Sequence, residues 1–133
     1  MKSVACRRAA ALQVNRLGAH GASAQAGRTM ELSQLTERAM EIRRRFAAHE
    51  RTNSAGREWT REEIMQGFVG DIGDLMKLVM MKAGVRPGSD VDAKLAHELS
   101  DCLWSVLVLS RLYGIDLERE FLKTMTELEA KLD

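Results

Sequence analysis

TREEIMQGFVGDIGDLMKLVMMKAG, residues 60–84, decides the fold. It opens with Thr60 and Glu63 at the Thr-x-x-Glu spacing of a capping box, in which each side chain satisfies the other residue's backbone N–H. It closes on Gly84, with Pro87 and Gly88 completing the break. Between these ends lies no Pro, so the stretch reads as one helix running to Ala83. Its unusual content is Asp71 and Asp74, three residues apart in one of the two most apolar runs of the chain. Glu98 and Asp101 repeat the arrangement in the other run. With 19 acids in 133 residues, roughly 2.7 such pairs arise by chance. Their location therefore carries the signal, and their spacing does not.

On the N-terminal side, Leu32, Leu35, Ala39, Ile42, Phe46 and Ala47 form an i, i+3, i+4 stripe that predicts a helix from Glu31 to about Glu50. A loop, His49 to Trp59, follows it. On the C-terminal side, Ser89 or Asp90 is placed to cap a third helix that continues to Tyr113 before Gly114, and Asp116 to cap a fourth through about Leu132. Few aromatic residues, a single Pro and eight Met favour helices over strands. Four helices with short connections predict an all-α, antiparallel four-helix bundle over residues 29–133. Cys102 to Leu109 is apolar nearly all round, which predicts burial on several sides and hence a homo-oligomer.

Residues 1–28 contain Lys2, Arg7, Arg8, Arg16 and Arg28 and no acid, and read as a disordered basic leader. The remainder holds 15 basic and 19 acidic residues, a net of −4, the wrong sign for a nucleic-acid partner. The run Arg43-Arg44-Arg45 reads as a solvated helix face or a contact to phosphate from a neighbouring subunit. Cys6 and Cys102 make no disulfide framework, so a reducing, cytoplasmic setting is expected. Charges interrupt every apolar run before the roughly 18 residues a membrane span needs, and no membrane partner is expected.

Acids three apart share a helix face. Asp71 and Asp74 lie 13 and 10 residues before Gly84, and Glu98 and Asp101 lie 8 and 11 after Asp90, so a hairpin sets the two pairs at matching heights. Each pair is flanked by apolar residues at i−3 and i+4, Phe68 and Leu75 for Asp71, Leu95 and Cys102 for Glu98, which turns it toward the seam. Four carboxylates there repel one another and lose hydration unless a cation neutralises them. Oxygen donors without a Cys cluster or a second His select a hard divalent ion, Mg²⁺ with Mn²⁺ as a substitute, over zinc. Mg²⁺ held this way implies phosphoryl chemistry on a nucleotide or other polyphosphate. His97 reads as a surface or packing histidine. Gly67, Gly70 and Gly73 form a smooth strip beside the acids that a helix or a substrate could approach closely.

Gly70-Asp71-Ile72-Gly73-Asp74-Leu75 resembles the EExGEL motif of the MazG-like all-α nucleoside triphosphate pyrophosphohydrolases. Glu98-Leu99-Ser100-Asp101-Cys102-Leu103-Trp104 resembles their ELADVLW motif, and Gly114-Ile115-Asp116-Leu117-Glu118 their GIDLE turn, so the resemblance spans Trp59 to Leu132. It implies Mg²⁺-dependent cleavage of a nucleoside triphosphate between the α and β phosphates, releasing a nucleoside monophosphate and pyrophosphate, in house-cleaning of the nucleotide pool. It also implies a homodimer or dimer of dimers. Asp71, Asp74, Glu98 and Asp101 would be metal ligands, and Asp71 the residue that orients or deprotonates the attacking water. Lys77 and Lys123, with Lys94 behind them, would meet phosphate oxygens. Trp59, and less readily Trp104, would stack the base.

The chain departs from this pattern. Asp stands for Glu twice in the first motif, shortening each arm by about 1.5 Å, and Gly70 replaces the leading acid. On the fourth helix, Thr124 and Leu128 stand where the family often has Lys and Asn. These departures support an alternative, a non-catalytic oligomerisation or nucleotide-sensing module built on the same fold. A third reading is a related all-α hydrolase, such as a phosphoribosyl-ATP pyrophosphatase or a dUTPase.

Overall fold

The computed structural model describes residues 29–53 and 56–132. The basic leader of residues 1–28, with Cys6, lies outside the described residues. Among those described there are four helices and no strand: α1 (Leu32–Asn53), α2 (Arg61–Lys82), α3 (Val91–Leu112) and α4 (Leu117–Glu129). The all-α reading therefore holds.

Helix ends follow the local chemistry. Thr60 N–H donates to Glu63 Oε2 at 2.9 Å and Glu63 N–H to Thr60 Oγ1 at 3.3 Å, closing the capping box of α2. At its other end Gly84 takes φ 74°, which lets Gly84 N–H reach the Met81 carbonyl and Val85 N–H the Met80 carbonyl. Gly114, with φ 67°, ends α3 in the same way, through the carbonyls of Arg111 and Ser110. Asp116 caps α4 by accepting from Arg119 N–H at 3.1 Å. α1 runs a few residues beyond the expected end, reaching Asn53.

The chain divides into two compact units. One comprises Glu31–Met65 and Leu103–Asp133. Its core is Ala39, Ile64, Leu107 and Val108, with Leu32, Leu35, Met40, Trp59, Trp104, Leu109, Leu112 and Leu117 packed against it. The Phe46 and Trp104 rings meet edge to face, centroids 6.0 Å apart, and the Arg61 guanidinium lies 4.8 Å from the Tyr113 ring centre. α4 contributes no buried residue. A cavity of about 390 Å³ lies where the start of α1 meets the α3–α4 corner, lined by Leu32, Thr36, Glu37, Arg111 and Asp116 among others.

Within this unit the arginine run is corrected. Arg43 is buried while Arg44 and Arg45 are exposed. Arg43 donates to the Trp59 carbonyl at 2.6 Å and lies 3.9 Å from Glu50 Oε2, which accepts from Trp59 N–H at 3.0 Å. Arg43 thus holds the chain entering α2 against α1. Arg45 and Arg38 both pair with Glu41, and Arg51 pairs with Glu58. Arg38 and Arg45 share the single Glu41, so the exposed face keeps a net positive charge.

The other unit contains Gln66–Cys102. Here the later turns of α2 and the early turns of α3 form an antiparallel hairpin. Lys82 Nζ lies 2.5 Å from Asp92 Oδ1 across it. Gly88 accommodates Met81, whose Sδ would lie 2.7 Å from a Cβ at that position.

Candidate carboxylate site

Both helices carry an inverted pattern. Ile64, Gly67, Asp71, Asp74 and Leu78 are the buried positions of α2, at successive spacings of 3, 4, 3 and 4 residues. This is the stripe on which a core-facing helix carries apolar side chains, yet its third and fourth positions are acids. α3 buries Glu98, Asp101, Ser105 and Val108 at spacings 3, 4 and 3. Asp71 is only 1% exposed, and Asp74, Glu98 and Asp101 are buried as well.

The acids lie within electrostatic reach of one another. Glu98 has its carboxyl pushed up from the ordinary carboxylate range, first by burial, then by the negative charges of Asp101, Asp71 and Asp74, against a small opposing pull from His97. Burial also raises the neighbouring Cys102 thiol, helped by Asp71, Glu98 and Asp101. Glu98 Oε2 is buried without a hydrogen-bond partner, a state that costs about 1–3 kcal/mol or more for a charged group. Asp74 Oδ1 accepts from Lys77 Nζ at 2.8 Å, and Asp101 Oδ2 lies 3.4 Å from His97 Nε2.

Asp71, Asp74, Lys77, Glu98 and Asp101 thus fall in one unit. Trp59 and Lys123 belong to the other. Trp59 is half-buried against that unit's core, its backbone held by Arg43 and Glu50, and Lys123 is exposed, 3.9 Å from Glu127. Trp104 packs in the core fringe with a buried Nε1 that has no hydrogen-bond partner. Lys94 donates to the Ser89 carbonyl. The glycine strip is divided: Gly67 faces inward, while Gly70 and Gly73 face outward, and a Cβ on Gly73 would meet nothing within 4 Å. His97 is a half-exposed histidine against Asp101; the coupling of Cys102 to the acids went unread in the sequence, although its position one after Asp101 signals it.

The donors suit a hard divalent cation: all are carboxylate oxygens, and one buried oxygen lacks a partner. Among the described residues no three His, Cys, Asp or Glu side chains stand close enough to form a metal-holding group. The acids as placed repel across the seam without forming a closed cage.

No family model, no curated protein and no solved structure matches the chain. No helix among the described residues is long and apolar enough to cross a membrane.

Proposed function

We propose that this chain is a Mg²⁺-dependent nucleotide pyrophosphohydrolase of the MazG-like kind, acting as a homodimer or dimer of dimers in the cytoplasm. The burial of four mutually repelling carboxylates on facing turns of α2 and α3 carries the reading. Such a cluster is stabilised by positive charge beyond that of the Lys77–Asp74 pair. Asp71, Asp74, Glu98 and Asp101 would hold the cation, which when bound neutralises phosphate charge and acidifies a coordinated water.

In this reading Asp71, the most deeply buried acid, orients the attacking water and accepts its proton. Water adds to the α phosphorus, the bond to the bridging oxygen breaks, and pyrophosphate leaves with that oxygen. Lys77, held against Asp74 and nearly half exposed, has the length to turn from that partner to a phosphate. The motifs support a nucleoside triphosphate as substrate. Pyrophosphate release from a panel of canonical and modified (d)NTPs with Mg²⁺ or Mn²⁺ tests the proposal. Folded protein that releases none from any of them refutes it.

A second reading, a module that binds a nucleotide without hydrolysing it, is favoured by the exposed Gly70 at the position of the leading acid and by the two shortened arms. It predicts nucleotide-dependent thermal stabilisation with no pyrophosphate formed.

A further inference from the structure

We propose that the corner formed by α1, α3 and α4 binds a small aliphatic diamine. The cavity there, about 390 Å³, falls within the roughly 300–1,000 Å³ of small-molecule sites. Its lining comes from one compact unit. The charged residues of that lining are Glu37 on α1, Arg111 on α3, Asp116 at the cap of α4 and Glu118 in the first turn of α4. Three carboxylates against one guanidinium leave two negative charges in excess.

The polar groups of the lining are committed in a way that leaves acceptors. Arg111 Nη2 lies 2.8 Å from Glu37 Oε1, so this cation already has its partner. Asp116 Oδ1 accepts from Arg119 N–H, and Glu37 and Asp116 each keep a second carboxylate oxygen. Thr36 and Ser110 give their hydroxyl protons to the Leu32 and Leu107 carbonyls, each at 2.8 Å. Both hydroxyls therefore retain lone pairs and have no proton to offer a ligand. A ligand that suits this lining brings N–H donors and positive charge.

The helix ends do not reverse the sign. The first turns of α1 and α4 add roughly half a positive charge each, and the last turn of α3 subtracts about as much, which leaves an excess of about 1.5 negative charges. Leu32, Ile115 and Leu117 supply apolar contact for a carbon chain between two charged ends. An aliphatic diamine has this form, and both its amines are protonated at neutral pH, as a Lys side chain of pKa about 10.4 is. The four acids of α2 and α3 take no part in this lining, and the inference is independent of hydrolysis.

A ¹H–¹⁵N NMR titration of the full chain with 1,4-diaminobutane at constant ionic strength tests it. Saturable shifts are expected at the amides of residues 32–37 and 110–118, with 1-aminobutane binding roughly fivefold more weakly for want of one charge contact. Glu37→Gln and Glu118→Gln should each raise the dissociation constant about two- to fivefold, the range for an exposed ion pair. Both positions are exposed, and retained amide dispersion verifies folding. Four results each overturn the proposal: no saturable shift, shifts confined to residues 71–101, equal affinity for the monoamine and the diamine, or both variants binding as the parent does. Inorganic phosphate moving the same amides while the diamine leaves them still would reverse the sign of the site and overturn it too.

Discussion

Replacing Glu98 with Gln should stabilise the metal-free protein at neutral pH and remove most of its stabilisation by Mg²⁺. The amide keeps the size of the side chain and deletes its charge. Glu98 and Asp101 share a helix face, with Cβ atoms about 5.5 Å apart. At an effective dielectric constant of about 20 that pair alone costs roughly 3 kcal/mol before relaxation. Side-chain adjustment and residual water reduce the benefit, and the new amide still needs partners, so a net gain of about 1 kcal/mol is expected. For a chain of this size that is roughly 3–6 °C in Tm. The pH dependence has a definite sign. The folded-state pKa of Glu98 is raised above its ordinary 4.5, so the folded state holds the proton more tightly than the unfolded one. The stability this confers is complete below about pH 4.5 and is lost as pH rises through the folded value. Thermal unfolding in chelator from pH 5 to 8 should show that loss in the parent protein and a shallower slope in Glu98→Gln. Saturating Mg²⁺ at about 100 times its Kd should add about 2.7 kcal/mol to the parent and markedly less to the variant. A lower metal-free Tm for Glu98→Gln together with equal Mg²⁺ stabilisation of both proteins would refute the reasoning.

Asp71→Asn should leave the helical spectrum intact and lower pyrophosphate release by about 10²–10⁴-fold, the usual effect of losing a proton acceptor; a rate within a few-fold of the parent removes Asp71 from the chemistry. Arg43→Ala should cost about 3–5 kcal/mol in urea unfolding, since it removes the cation beside the buried Glu50 and the donor to the Trp59 carbonyl, whereas Arg44→Ala on the solvent side should change stability by less than about 0.5 kcal/mol. Gly84→Ala should cost about 1 kcal/mol or more by thermal melting, because φ 74° with both capping bonds in place suits glycine alone.

Helix ends were legible because each is set by a few adjacent atoms. Thr60 with Glu63, Gly84, Gly114 and Asp116 act within one turn, and nothing distant competes with them. Orientation about the helix axis was harder to read. Three consecutive arginines rotate about 100° each, so only one can face inward, and the run alone does not say which. Its neighbours do: Ala39, Phe46, Ala47 and Glu50 share a face with Arg43, and all are buried. Reading the run as a unit concealed that. The depth of the four acids followed from their apolar flanks, but their final separation depends on side-chain torsions across two helices, which no one-dimensional spacing encodes. This is why a closed metal-holding group was legible as an expectation and is not formed by the described side chains. The glycine strip divided for a related reason: three-residue steps drift by about 60° around the helix, taking Gly67 inward while Gly70 and Gly73 face solvent.

α2 therefore carries two offset stripes, acids inside and apolar side chains outside, the reverse of an ordinary amphipathic helix. The inner stripe gathers carboxylates that repel one another, and the outer one leaves apolar side chains exposed to water. A cation at the inner stripe and a substitution at the outer one act on opposite sides of one cylinder about 10 Å across. Effects that far apart with no shared partner are expected to add within about 0.5 kcal/mol. Mg²⁺ should then raise the Tm of Ile72→Glu by as much as it raises that of the parent, each measured at a concentration where it is monomeric. A metal effect that vanishes in Ile72→Glu would mean instead that the outer stripe shapes the carboxylate site, tying the two stripes into one device.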